Sequence, residues 1–195
     1  MPTALAAELV ATAHELADVA RTATLSHFRT RALVAETKET DRFDPVTAAD
    51  RLSEERMREV LARRRPDDAI LGEEFGASAG TSGLTWVLDP IDGTRSYLAG
   101  TPTWGVLISV RDAEGPLFGI IDQPYIGERF EGGLGRARVV GPMGEAELGV
   151  RAARPLSEAI LFSTFPEVGT AEEGAAFRRV AAGAKLVRYG TDCYA

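Results

Sequence analysis

A change of period near residue 69 constrains this chain more than any other feature. Before it, Leu5, Leu9, Ala13, Leu16, Ala20 and Ala23 recur at helical spacing, which predicts an amphipathic helix over residues 3 to 28. A second helix is predicted in "TAADRLSEERMREVLARRRP", opened by Thr47 and Asp50 in capping-box spacing and stopped at Pro66. Beyond it, "AILGEE", "TWVLDP", "WGVLISV" and "LFGIID" are short apolar runs bounded by Gly, Pro, Asp or Glu, as sheet strands are. The fold class is therefore read as α/β.

Finer organisation follows from turn chemistry. "DAEG", between Arg111 and Pro116, is a hairpin-type turn, so the runs on either side should pair antiparallel. "AILFST", "TAEEGAAFRRVAAGA" and "KLVRYG" form a strand, a helix and a strand, which together make a βαβ unit. The polar stretch "AETKETDRFDPV" reads as a mobile loop. Thr191 is placed as the N-cap of a further helix, but the sequence stops within its first turn, so a last helix and following strands are expected to be absent. Residues 1–140 are expected to form an N-terminal metal- and phosphate-binding domain, and residues 141–195 the start of a C-terminal α/β domain.

Composition narrows the partners. The net charge of -7 is spread along the chain and the basic residues form no block beyond "ARRRP", which favours a small ligand over nucleic acid. No run approaches the roughly 18 to 20 apolar residues of a membrane span, and the N-terminus lacks a secretory pattern, so no membrane partner and a cytoplasmic location are expected. Cys193 is the only cysteine, which excludes an internal disulfide, and His14 and His27 are too few for a zinc cage. His27 reads as a residue at the end of the first helix. Any metal here would be held by oxygen.

The chemistry concentrates in "WVLDPIDGTRSYLAG". Asp89 ends an apolar strand, and ligands of open α/β sheets sit beyond the carboxyl ends of strands. Pro90 fixes its own φ, Asp92 is expected to return to the same side, and Gly93 lets backbone approach a ligand. "GTRSYL" would then start a helix whose unpaired N–H groups suit an anion. Oxygen for a cation and N–H for an anion together fit Mg²⁺ with a phosphate ester.

Each acidic cluster also has a plain structural reading. "DPIDG" is a polar turn, Glu73 and Glu74 in "LGEEF" can be a solvated pair, and Asp50 can simply cap the second helix. Three such clusters at element boundaries favour a site. No GxxxxGK[ST] segment is present, which removes a nucleotide P-loop. The spacing of Asp89 and Asp92 differs from that of the aspartyl-nucleophile phosphatases, and a glycosidase would leave the Gly-Thr helix start unexplained.

"DPVTAAD", "GEE" and "WVLDPIDGT" stand in the order and approximate spacing of the inositol monophosphatase family, which the chain resembles over nearly all of its 195 residues. The resemblance implies a layered α/β/α/β/α sugar-phosphatase fold, a metal-dependent phosphatase using two or three Mg²⁺ ions, and a homodimer. By that resemblance Glu73, Asp89 and the carbonyl of Ile91 hold a first ion, and Asp89 with Asp92 a second. Asp50, Glu73 and Thr94 orient or activate the attacking water, while Asp92, Gly93 and Thr94 meet the phosphate. Lys38 resembles a loop lysine near the phosphate, with its spacing to Asp50 shifted by about one residue. The family's third motif, a Trp-Asp pair, is not in the sequence, so the 195-residue chain is expected to be weakly active or inactive where the full-length protein is active.

"GIIDQPYIGERFEGGLG" and "RYGTDCYA" resemble the histidinol-phosphatase branch of that family. Histidinol phosphate carries an ammonium and an imidazole, so its pocket should add an anion, for which Asp192 is the candidate. Asp192 also reads as a first-turn helix acid. Glu128 and Arg129 read as sheet-surface residues and Cys193 as a small packing residue. The expectation is a Mg²⁺-dependent histidinol-phosphate phosphatase of histidine biosynthesis. The alternatives are an inositol-1-phosphate or broader sugar phosphatase, and a non-catalytic metal- or phosphate-binding regulatory protein.

Overall fold

A computed structural model describes residues 2–31, 35–37, 45–165 and 169–193. Two helices, α1 (Thr3–Leu25) and α2 (Ala48–Arg64), pack against each other and onto one face of an eight-stranded sheet. The helix expected over residues 3 to 28 ends three residues early. Thr47 caps α2 as its spacing predicts: the side chain accepts from the Ala49 N–H at 3.1 Å, and the Thr47 N–H donates to Asp50 Oδ2 at 2.8 Å.

The sheet contains β3 (Ala69–Gly72), β4 (Gly76–Ser78), β5 (Thr85–Asp92), β6 (Gly105–Arg111), β7 (Pro116–Gln123), β8 (Glu128–Gly133), β9 (Arg136–Gly141) and β10 (Gly144–Glu147). Their spatial order is β10-β9-β8-β7-β6-β5-β3-β4. Every neighbouring pair is antiparallel except β3 and β5, which run parallel. The hairpin predicted at "DAEG" joins β6 to β7, and Asp112 Oδ1 accepts the Glu114 and Gly115 N–H groups within it. Of "AETKETDRFDPV", expected as a loop, residues 38–44 lie outside the described residues, and at its two ends β1 (Ala35–Thr37) and β2 (Pro45–Thr47) pair antiparallel. The predicted βαβ unit is formed by β11 (Ile160–Ser163), α4 (Ala171–Ala181) and β12 (Leu186–Tyr189), with β11 parallel to β12.

Side-chain periods decide which faces meet. On β6, Val106, Ile108 and Val110 point alternately toward the helices, beside Trp86 and Leu88 of β5 and Phe118 and Ile120 of β7. They meet Leu9, Ala13, Leu16, Ala17 and Ala20 of α1 and Met57, Val60 and Leu61 of α2. Alanines at the helical contact let α1 lie close to the sheet. The opposite sheet face, including Val87, Leu107, Ile121 and Phe130, lines an open cleft of about 840 Å³ that also reaches Asp89 and Cys193. A smaller aromatic cluster of Phe28, Ile91, Tyr97 and Trp104, with Ala49, lies under the end of β5. The Tyr97 hydroxyl in that cluster donates to the Thr24 carbonyl at 2.7 Å.

Arg129 is not a sheet-surface residue. It lies in an ionic cluster on the fully buried Asp122, whose Oδ1 accepts from Arg129 Nε and from Arg21 Nη2, each at 2.7 Å, while Oδ2 accepts from Arg21 Nε at 3.0 Å. The cluster ties α1 to the end of β7. Removing one partner of a buried ionic group leaves the others uncompensated. Asp122→Asn is therefore expected to lower unfolding free energy by about 3 kcal/mol in urea titrations, whereas an effect below about 0.5 kcal/mol would mean that the cluster adds nothing to stability.

Candidate active site at the ends of two parallel strands

The parallel pairing of β3 with β5 aligns Gly72 with Leu88, and the Glu73 N–H donates to the Leu88 carbonyl at 3.2 Å. The next residues along, Glu73 just past the end of β3 and Asp89 still within β5, therefore stand side by side toward the carboxyl edge of the sheet. Asp89 and Asp92 are three apart, which in a regular strand would put them on opposite faces. A bulge resolves this, because Asp89 pairs with Leu107 and Asp92 with Gly105, so three steps on β5 face two on β6. A bulge re-aims side chains in this way. Pro90, with no N–H to donate, sits inside the irregular stretch, and β5 continues through Asp92 instead of ending at Asp89.

Like charges then meet in a half-dry setting. Burial raises the Asp89 carboxyl well above the ordinary range, and the charge and hydrogen bond of Glu73 and the charge of Asp92 raise it further. Asp89 Oδ1 is buried and has no hydrogen-bond donor among the described residues. Asp50 is buried on the neighbouring helix end and pushed up to about 6, chiefly by burial, with its Thr47 hydrogen bonds acting in the opposite direction and the Glu74 charge adding to the rise. Its Oδ2 accepts both the N–H and the hydroxyl of Thr47, at 2.8 and 2.6 Å, so the capping role read from the sequence is real.

Gly93 opens the short helix α3 (Thr94–Ala99) from the left-handed region, at φ +85°. A Cβ there would also stand 3.0 Å from Asp192 Cβ and 3.1 Å from the Thr103 carbonyl, so both conformation and space require glycine. The Thr94 hydroxyl donates to the Ile91 carbonyl at 3.1 Å. Asp192 lies against this helix start: the Ser96 hydroxyl donates to its Oδ2 at 2.5 Å, and Thr103 Oγ1 donates to Ser96 Oγ at 3.1 Å. Asp192 has φ +44° and is not in a helical first turn. Residues 194 and 195, and Lys38, lie outside the described residues.

Sequence reasoning missed one close contact. The Cys193 N–H donates to Asp92 Oδ2 at 2.9 Å, so Cys193 does more than pack. Burial and the neighbouring Asp92 push its thiol above the ordinary range. No spacing rule could have shown a contact between residues 101 apart.

The donor set suits a hard cation. Carboxylates and a carbonyl are the oxygen ligands Mg²⁺ prefers, and a buried carboxylate oxygen without a donor, beside a second acid, is a group that a cation would satisfy. Among the described residues, no three His, Cys, Asp or Glu side chains already form a metal-holding group. Glu73, Asp89 and Asp92 instead share an electrostatic neighbourhood in which the charges of Glu73 and Asp92 add to burial in raising the Asp89 carboxyl.

Comparison with known proteins gives the same direction. The family model described as the inositol monophosphatase family matches residues 5–187. The chain is 36% identical over 187 residues to the bifunctional phosphatase IMPL2, chloroplastic, of Arabidopsis thaliana, covering 95% of this chain and 52% of that protein. It is 45% identical over 122 residues to a histidinol-phosphatase of Streptomyces coelicolor, covering 60% of this chain and 45% of that protein. The chain thus spans about half the length of these curated relatives. An inositol monophosphatase from Zymomonas mobilis superposes with a TM-score of 0.78 at 34% identity, covering 95% of this chain and 69% of that one. With its mixed sheet, its paired strand-end acids and a family match across most of its length, the chain belongs to the inositol monophosphatase family.

Proposed function

We propose that the protein is a Mg²⁺-dependent phosphomonoester hydrolase acting on histidinol phosphate, releasing histidinol and phosphate. The observation that carries the catalytic reading is the buried, donorless Oδ1 of Asp89 set beside Glu73 and Asp92. Glu73, Asp89, Asp92 and the Ile91 carbonyl would hold the cations. When bound, Mg²⁺ supplies positive charge that neutralises phosphate oxygens and makes water more acidic.

The chain's own residues do the positioning. The N–H groups of the first turn of α3 would offer donors to phosphate oxygens, and the Thr94 hydroxyl would join them by turning from the Ile91 carbonyl. Glu73 and Thr94 would orient the attacking water, and Asp50, whose carboxyl is pushed up to about 6 chiefly by burial, would help to activate it. Phosphoryl transfer asks for positioning and charge neutralisation more than for a covalent nucleophile. A serine, cysteine or histidine nucleophile is not required.

Histidinol phosphate is favoured over inositol phosphate by Asp192. Its carboxylate stands at the helix start that would receive the ester, held by Ser96, where an ammonium or imidazolium of the substrate would find a counter-charge. The histidinol-phosphatase of Streptomyces coelicolor supports the same choice.

Phosphate release by the whole protein from histidinol phosphate, inositol 1-phosphate and other sugar phosphates, with and without Mg²⁺, tests this directly. Release should need Mg²⁺ and be fastest with histidinol phosphate. Preference for inositol 1-phosphate would overturn the substrate, and no release from any ester would favour a binding protein. Asp92→Asn should lower kcat/KM at least about 100-fold, since even outer-shell substitutions typically cost 10 to 100-fold. Asp192→Asn should cost roughly 10-fold in kcat/KM for histidinol phosphate, as loss of a charge-assisted hydrogen bond does, while sparing inositol 1-phosphate. The metal-free Asp89 carboxyl holds its proton above the usual range and must release it to ligate. Metal affinity should therefore rise with pH through neutrality, and calorimetry in buffers of different ionisation enthalpy should show net proton release on Mg²⁺ binding.

A further inference from the structure

The turn that carries Glu73 is held by a second buried acid. Glu54, one helical turn beyond Asp50 on α2, is fully buried. Its Oε2 accepts the Glu74 N–H at 2.7 Å, and its Oε1 accepts the Phe75 N–H at 3.2 Å and Arg58 Nε at 2.8 Å. Arg58 extends the grip by donating to the Gly76 carbonyl at 2.5 Å and the Ser78 hydroxyl at 2.9 Å. The pair therefore fastens the whole connection between β3 and β4 to the helix that also carries Asp50.

A buried carboxylate is costly where an apolar side chain would pack as well, so its cost calls for a role. The chain also makes room for it. A Cβ on Gly72 would stand 1.9 Å from Glu54 Oε1, which excludes any side chain at the residue before Glu73 while the carboxylate stays in place. Glycine at position 72 is required by this contact, because its backbone is in ordinary strand geometry.

Resting on the metal-binding reading above, we propose that Glu54 is a positioning residue for Glu73. It clamps the two amides that follow Glu73 and so fixes the direction in which that carboxylate meets Asp89. Metal affinity then depends on a residue that need not touch the metal. Substitutions of such supporting groups typically cost 10 to 100-fold in metal affinity.

The test is calorimetric titration of the chain with Mn²⁺, together with amide hydrogen exchange at Glu74 and Phe75 and a melting curve as a check of folding. In Glu54→Gln the amide offers one acceptor oxygen and turns its NH₂ toward a donor. The expected result is a Kd for Mn²⁺ raised about 10 to 100-fold with faster exchange at the two amides. Gly72→Ala, which keeps every charged group, should do the same by displacing the carboxylate, and should add nothing in a Glu54→Ala background, where its Cβ meets no carboxylate. That variant pair carries the test if Glu54→Gln does not fold. Unchanged Mn²⁺ affinity or unchanged exchange in Glu54→Gln and Gly72→Ala, while Glu73→Gln loses the metal, would overturn the positioning role and leave the metal site standing. Absence of Mn²⁺ binding by the unmodified chain would overturn the metal reading itself, and the positioning role with it.

Discussion

The site depends on an unfavourable meeting: two carboxylates brought together at the edge of a sheet, with one oxygen given no donor. The parallel β3–β5 pairing makes the meeting unavoidable, because its register sets Glu73 beside Asp89 whatever their side chains do. Like charges in a partly dry place raise each other's proton affinity, and the strain is relieved by a proton or by a cation. A structure that needed only stability would not place these groups so.

The other buried acids show how such groups are ordinarily satisfied. Asp122 has two arginines, Asp68 has Arg65 and the indole N–H of Trp86, and Glu131 has Arg138. His14 Nε2 also lies 2.6 Å from Glu131 Oε2, without hydrogen-bond alignment. Asp68 and Glu131 are held below their ordinary carboxylate values by these donors, against the opposing effect of burial. Asp89 and Asp50 are raised, chiefly by burial, and both are set against further acids. The contrast lies within one sheet and the helices packed on it, so it reflects placement and not a general acidity of the chain.

Much of this was legible beforehand because its causes are local. The capping box at Thr47 and Asp50, the "DAEG" hairpin and the βαβ unit each rest on residues within a few positions of one another. The acids at the strand ends were legible as types, since apolar runs that close on Asp or Glu mark where strands leave the sheet. Less visible were β8 to β10, whose alternation is diluted by glycine and arginine, and the pairing of β1 with β2. The burial of Arg129, the amide of Cys193 on Asp92 and the clamp of Glu54 on the Glu73 turn come from tertiary contacts. For Glu54 one clue was present: it follows Asp50 by four residues and so shares its inward helical face.

The bulge in β5 has a consequence for how such chains can diverge. Elsewhere the connections can lengthen or shorten at modest cost. Between Asp89 and Asp92 the bulge is itself a functional quantity: three steps on β5 face two on β6, and only that irregularity brings both acids to one face. Regular alternation over the same number of residues would slip the later pairing by a step, turn every later residue over and take Gly93 from where Asp192 closes on it. Point substitutions in this stretch are graded in effect, whereas a one-residue slip in register acts as an all-or-none lesion.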